Sequence, residues 1–473
     1  MTVAIIVGIG ILALGALGIA AGRQRSLTGW AVNGRRNSAW TSWILLAGEG
    51  LTTFTFLGLA GLAFGGGVGA TFAIAYLTIS YLVFYFVAPR IRELGTPLGT
   101  LTIADFLAAR YGSPRLGRFV AVIGALALIP YLQLQIVGLG MIVELVTGSA
   151  GARGLSMVLA SALVVLFVIW AGIRGIARVA VVKDVLMIIA MLAIVGGLAI
   201  SFGGIPEIFT RVAEESPGLL TMRGGAIDPV YFLSATIVTS IGSGFCTLPH
   251  FWPMVLSARN GAALRKTAIW QPVYFLLLFI PITVGFAGTL LLDPATPGNA
   301  VLLETTARLL PDWLLGVIAV GGAAAAMVPA GGILIGISTL VSQNVFRRVA
   351  PERRLAVNAV AIVAVTLLAL LLGLARSDIG ALLLLTYGCT TQFAPAIACA
   401  LAERVRVGAR PAGLGILAGS LTVAVITFGG IPIGSLDAGL IALAPNLLVL
   451  GVAEAIRRRR PRGTPISVAS RAG

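Results

Sequence analysis

One acid stands inside a membrane-length apolar stretch. In AGEGLTTFTFLGLAG, Ala47 to Gly61, Glu49 lies between Gly48 and Gly50 and is followed by Leu51, Thr52 and Thr53. A charge at the centre of a spanning helix costs about 2.5–3.5 kcal/mol on insertion scales, so it needs a compensating role. Glycines are weak helix formers, and two beside a charge mark a helix meant to break. A second stretch, SATIVTSIGSGFCTLPHFWP, places Ser240, Gly242, Ser243 and Gly244 ahead of Pro249. Interrupted helices offer free N–H groups and partial positive charge, which suit a carboxylate. Hydroxyls from Thr52, Thr53, Ser240 and Ser243, with Tyr131 and Gln135 from PYLQLQIVG, complete a donor set for a small organic anion. Gln133 and Gln135 are two apart and point to different faces, so one of them lines the cavity. The competing reading of each hydroxyl is a bond to its own helix carbonyl four residues back.

Three further residues bear on ion coupling. Glu49 either faces a wet cavity beside a donor or changes charge during a working cycle, which would link protonation to conformation. Lys183 and Asp184, in VVKDVLM, open a predicted span; they read either as decoration of its end or as a coupled ionisable set with Glu49. The single histidine, His250, reads as an interfacial side chain near a basic loop, with pH sensing as the alternative. Cys246, Cys389 and Cys399 lack paired or metal-like spacing and read as small core residues. The sequence has no CxxC and no HExxH, so neither metal nor cofactor is expected.

The surrounding sequence dictates what must position these groups. Of 473 residues, 58% are apolar and only 11% charged, with a mean hydropathy of +1.02. Soluble domains carry about 25% charged residues, so this chain belongs in a bilayer. Apolar runs predict thirteen spans. Span 1 covers 3–22, spans 2–6 lie within 40–203, spans 7–11 within 230–401, and spans 12 and 13 within 412–455; residues 456–473 form a basic, disordered tail. The run at 3–22 has no basic residues ahead of it and reads as a retained helix rather than a cleaved leader. Of the 33 lysines and arginines, 28 fall in one set of alternate gaps plus the tail. The net charge of +16 is therefore an orientation signal, not a nucleic-acid footprint. It predicts the N-terminus outside, the C-terminus inside, and contact with anionic lipid. Ile103, Phe106 and Leu107 of TIADFLAARYG share a helical face and predict a short helix lying on the membrane surface.

The two interrupted spans, 2 and 7, are five apart. Five is odd, so a five-helix unit repeated once must invert, and matched broken helices in inverted halves point to a binding site. The alternative is that these glycines and serines serve close helix packing.

The chain resembles the sodium:solute symporter family through VNGRRNSAWTSW, FLGLAGLAFGGG, LTIADFLAARYG and GIRGIARVAVVKDVLMII, in that order. AGEGLTTFTF, PYLQLQIVG, VVKDVLM, LPHFWPMVLSARNGAALRKTAIWQPVY and AMVPAGGILIGISTLVSQNVF resemble its monocarboxylate-permease branch. The resemblance covers about residues 3–455. It implies an all-α fold like the bacterial leucine transporter, with spans 2–6 and 7–11 as a 5+5 inverted repeat and substrate between spans 2 and 7. It also exposes a departure. Where many members place hydroxyls that bind sodium, this chain has Val328 and Pro329. Backbone carbonyls near Gly48, Leu51 or the Pro329 kink are what remains. Proton-coupled relatives of the same fold set a lysine in the vacated position, which makes Lys183 a proton carrier, a fixed surrogate cation, or neither.

The expected function is thus symport of a small organic anion such as pyruvate, lactate or acetate across a bacterial-type cytoplasmic membrane, coupled to H+ or Na+. Alternatives are an amino acid or pantothenate as solute, or a channel. A membrane-embedded enzyme is disfavoured by the shortage of intramembrane acids and histidines. No nucleic acid and no obligate protein partner are expected.

Overall fold

The computed structural model describes residues 2–148, 150–222, 227–375 and 379–459. Of the basic tail expected at 456–473, residues 460–473 lie outside the described residues. All regular elements within them are helical, apart from one isolated β-bridge. Among the described residues, nine helices are long and apolar enough to cross a membrane, or ten if the pair Ala381–Thr391 and Ala394–Leu401, bent by 41°, is one span. The thirteen predicted spans exceed this number for a physical reason. The first apolar helix, Val3–Ile19, is short, and both spans expected to break do so.

A single helix organises the interior. Asp312–Leu340 is buried almost along its whole length, with Gly316, Gly321, Gly322, Gly331, Gly332 and Gly336 among its residues. Without a hydrophobic driving force between helices in lipid, small residues give close packing and its dispersion energy. The long helices Pro114–Thr147 and Ile173–Phe202 pack against it, and so does the N-terminal helix Thr2–Ile19.

The first interrupted span consists of the helix Ala39–Gly50, a break at Leu51 (φ −96°, ψ 82°), a π-helical turn at Phe54–Gly58 and the helix Leu59–Gly66. Ser38 starts it by accepting from Thr41 N. The second runs as Pro229–Gly244, then an irregular stretch through His250, then Phe251–Ser257. Asp228 caps its start and proline occupies the first turn. The second break thus falls after the glycine cluster, at Phe245–His250, where Cys246 adopts φ 53°. The glycines before both breaks serve packing. A Cβ on Gly50 would lie 2.1 Å from Phe275, and one on Gly242 would lie 2.5 Å from Tyr387.

One end of each broken helix is tied to the other. Asn37 N donates to Ser257 O at 2.9 Å, Arg259 N donates to Asn37 O at 2.8 Å, and Asn37 Nδ2 donates to Ser257 Oγ at 2.8 Å. Arg92 closes over the junction by donating to Ala258 O and Arg259 O. The entry of the first broken helix and the exit of the second therefore share one clamp.

Two expectations are corrected here. The helix Ile103–Arg110 does not lie on a membrane surface: Ile103, Phe106 and Leu107 are fully buried in protein, and the Phe106 ring sits 5.1 Å from that of Trp252. The last helix runs from Ala438 to Arg459, past the expected tail boundary at 455. Glu454 holds it by pairing with Arg457 and Arg458 and accepting from Gly408 N.

At the start of that last helix, Asp437 accepts from Gly439 N at 2.7 Å and is 8% exposed. Burial pushes its carboxyl up to about 6 from 3.8. A raised carboxyl disfavours the charged form in the folded state, so its stabilising contribution is complete below pH ~4 and is lost as pH rises through 6. The loss is about 3 kcal/mol at most. Asp437→Asn keeps the acceptor oxygen and cannot ionise. It is expected to melt at a higher temperature than the parent at pH 7.5, with a flatter melting profile between pH 4.5 and 7.5; parallel profiles would contradict the assignment.

Candidate functional site

Chemistry gathers at the break of the first helix. Glu49, on its last turn, lies with Oε2 2.9 Å from His250 Nε2. The two side chains are 1% and 0% exposed. This corrects the interfacial placement of His250: the irregular stretch after Gly244 turns inward, and Pro249 and His250 lead into the buried helix Phe251–Ser257. The pair joins the two interrupted spans directly. Room for it comes from the central helix. A Cβ on Gly332 would fall 2.6 Å from Glu49 Oε1, and one on Gly336 would fall 2.7 Å from the His250 Cα. Four residues apart, these glycines share a helix face. The Tyr131 ring lies 5.5 Å from the imidazole.

Lys183 and Asp184 sit well inside the helix Ile173–Phe202, not at its start. Lys183 is fully buried. Its Nζ lies 2.9 Å from Asp184 Oδ1, 3.4 Å from Leu51 O and 3.5 Å from Ala47 O. Both carbonyls belong to the C-terminal end of the helix Ala39–Gly50, where partial negative charge collects and a cation is favoured. Tyr274, from the helix Gly261–Phe275, donates to Asp184 Oδ1 at 2.8 Å. A buried ammonium with a carboxylate, two carbonyls and a phenol behind it is a compensated charge. On the opposite wall, Val328 covers Gly48, whose added Cβ would meet Val328 Cγ1 at 2.7 Å. Pro329 lies inside the same central helix and lacks the N–H that would otherwise bond the carbonyl of Ala325.

The hydroxyl set divides. Thr53 N and Oγ1 both donate to Gln135 Oε1, at 3.4 and 2.9 Å. Thr55 caps the break, accepting from Thr52 N and donating to Gly50 O and Thr52 O. Ser243 Oγ lies 3.0 Å from Tyr387 OH, and Ser240 donates to Tyr76 O at 3.3 Å. The structure thus brings Glu49, Thr52 and Tyr131 to one side of the first break, with Lys183, Asp184, Leu51 and Gly48 behind it. Ser240 and Ser243 lie on the last turns of the helix before the second break. His250, Tyr274, Tyr387, Gly332 and Gly336 are additional. The sequence offered a signal for two of them, since GGILIG places Gly332 and Gly336 on one helix face. Tyr274 and Tyr387 meet the site only through the fold.

A multi-pass chain, helical in its regular elements among the described residues, whose two interrupted helices meet around buried charges has the build of a membrane transporter. The family model for the sodium:solute symporter family matches residues 30–402, and the chain belongs to that family. It is a cation-coupled symporter. The chain is 32% identical to the uncharacterised symporter YhjB of Bacillus subtilis over 97% of this chain and 98% of that protein. It is 28% identical to a monocarboxylate transport permease protein of Rhizobium johnstonii over 67% of this chain and 64% of that one. Among solved structures, it shares the fold of a Na+-coupled sialic acid symporter in a substrate-bound outward-open state, with a TM-score of 0.77, 20% identity and 96% and 98% of the two chains covered. A nucleobase-cation-symport-1 family transporter, closed around bromovinylhydantoin, aligns with a TM-score of 0.60 at 15% identity, over 93% of this chain and 96% of that one.

Proposed function

We propose that the protein imports a small monocarboxylate such as pyruvate, lactate or acetate by proton symport. It does so by alternating access in a bacterial-type cytoplasmic membrane. The observation that supports proton coupling is the Lys183 ammonium set against the carbonyls of Ala47 and Leu51. A sodium ion needs several hard oxygens; here the carbonyl end of the broken helix faces a fixed cation, and Val328 and Pro329 supply no side-chain oxygen. In this reading the thirteen spans form a 5+5 inverted repeat with one span before it and two after, the N-terminus outside and the C-terminus inside. The Asn37–Ser257 clamp then closes the cytoplasmic side.

The Rhizobium relative's name favours a monocarboxylate, and so does chemistry. Thr52, Tyr131 and Ser243 supply neutral hydroxyls around the two breaks, while Thr53, Gln135 and Ser240 of the expected set hold the helices through their own hydrogen bonds; free N–H groups at an interrupted helix attract a carboxylate. No cofactor, nucleic acid or obligate protein partner enters this reading. The test is uptake by proteoliposomes of labelled pyruvate, lactate, acetate, proline and alanine under imposed H+ or Na+ gradients. The expected outcome is accumulation of a monocarboxylate driven by an inward proton gradient without sodium. Stimulation by sodium alone would contradict the reading of Lys183. Preference for proline or alanine would overturn the substrate, and flux without accumulation would indicate a channel.

A further inference from the structure

Beside the first break, away from Glu49 and Lys183, three buried polar side chains converge from three different helices. Gln135 comes from Pro114–Thr147, Ser161 from Ala150–Ala171 and Thr366 from Arg354–Ala375. They line one cavity against the central helix, whose remaining wall is apolar and includes Leu132, Leu139 and Met327. Its volume, as room for the centre of a water-sized sphere, is about 10 Å3. That is close to the smallest space that admits one water molecule, and too small for any organic solute. Gln135 is 1% exposed, Ser161 6% and Thr366 6%. Gln135 Nε2, Ser161 Oγ and Thr366 Oγ1 each lack a hydrogen-bond partner among the described residues. Native interiors leave few such groups unpaired, and three around one small cavity point to a shared ligand.

The orientation of the glutamine identifies that ligand. Thr53 N can only donate, and it and Thr53 Oγ1 both point to Gln135 Oε1. The amide oxygen is therefore held by Thr53, which leaves the buried NH2 group as the unpaired end of a residue that lines the cavity. An NH2 group repels a metal cation. A water molecule accepts from it and gives its own two hydrogens to the hydroxyl oxygens of Ser161 and Thr366. We propose that this cavity binds one structural water that holds Gln135 in register, so that Gln135 fixes Thr53 at the break of the first helix. Gln135 is in this view a positioning residue. The water connects the moving element, the interrupted helix, to the surrounding bundle. This holds whichever ion drives transport.

The test uses the full chain in nanodiscs and follows hydrogen exchange of a peptide spanning Leu51–Gly58, with one spanning Phe245–His250 as the control. Thr366→Val keeps the shape and removes the hydroxyl, Thr366→Ser keeps the hydroxyl, and Ser161→Ala is an independent removal. Losing one partner of a buried network is expected to speed exchange in the first peptide about tenfold in Thr366→Val and Ser161→Ala. Thr366→Ser is expected to behave like the parent, and the second peptide is expected not to change. A density map of the same protein is expected to show one ordered atom at about 2.7–3.0 Å from all three groups. Equal exchange in the Val and Ser variants would overturn the proposal. So would loosening of both peptides together, which marks general destabilisation, or density at the ~2.3–2.6 Å spacing of a hard cation.

Discussion

Lys183→Ala is expected to reduce proton-driven uptake to background, a loss of about two orders of magnitude, and to lower the melting temperature. The stability part follows from what the ammonium leaves behind. Asp184 is 5% exposed and keeps only the Tyr274 hydroxyl among the described partners, while Ala47 O and Leu51 O lose their cation. Removing one partner of a buried ion pair costs about 3–5 kcal/mol, because the other charge stays buried and uncompensated. That alone could explain lost transport, so the informative variant is Lys183→Ala with Asp184→Asn. Neutralising both partners removes the stranded carboxylate, and most of the melting temperature is expected to return. Uptake is expected to stay lost, since the carbonyl end of the broken helix still lacks its positive charge. Uptake that recovers with stability, or a single variant with parental uptake and an unchanged pH profile, would reduce Lys183 to a structural cation.

How far this arrangement was legible in the sequence depends on the length scale of each cause. The position of the first break was visible because it is local: a charge and two glycines within AGEG cannot sit comfortably in a lipid-facing helix. The second break falls just after the glycines that announce it in the sequence. SIGSG looks like a disruption, yet its glycines are helical: Gly242 lets Tyr387 approach and Gly244 lets Val83 approach. The turn that does interrupt the span uses Cys246 at positive φ, a conformation that a cysteine does not advertise. That turn is held by Thr247 N and Oγ1, which both bond Gly242 O, and by the Trp252 indole, which donates to Cys246 O.

Burial was the least legible property. Lys183 looked like the end of a span because the basic residues Arg174 and Arg178 precede it, whereas the helix begins at Ile173 and carries all three. His250 looked interfacial for the same reason, being close in sequence to Arg259, Arg265 and Lys266. Its partner is 201 residues away, and no periodicity connects two elements at that separation. The helix Ile103–Arg110 shows the converse error. An amphipathic face predicts only that something apolar must cover it, and here the cover is protein around Trp252 rather than lipid.

Glu49→Gln is expected to abolish net uptake driven by a proton gradient while leaving substrate exchange across the membrane largely intact. Exchange needs the loaded carrier to reorient in both directions but needs no net proton movement, so the two assays separate coupling from binding. The charge argument starts from the 2.9 Å contact with His250. A carboxylate and an imidazole buried together are held at least cost when the pair is net neutral, because an isolated buried charge costs several kcal/mol. In the proton-symport reading proposed above, Glu49 is the side chain that would carry the coupled proton between the closed and the open site. The Tyr131 ring lies 5.5 Å from that of His250, and the Lys183 ammonium lies behind the same broken helix, 3.4 Å from Leu51 O and 3.5 Å from Ala47 O. Glutamine keeps the shape and a hydrogen bond to His250 but cannot gain or lose the proton. His250→Gln is expected to give a smaller loss, about tenfold, because the acid remains and loses only its partner; a hydrogen bond to a charged group is worth about 1.5–3 kcal/mol. The contact also crosses between the two interrupted spans, whose other ends meet at the Asn37–Ser257 clamp, so both variants are expected to speed hydrogen exchange around Asn37. Parental net uptake in Glu49→Gln would remove the acid from the coupling path and leave the pair as a packing contact.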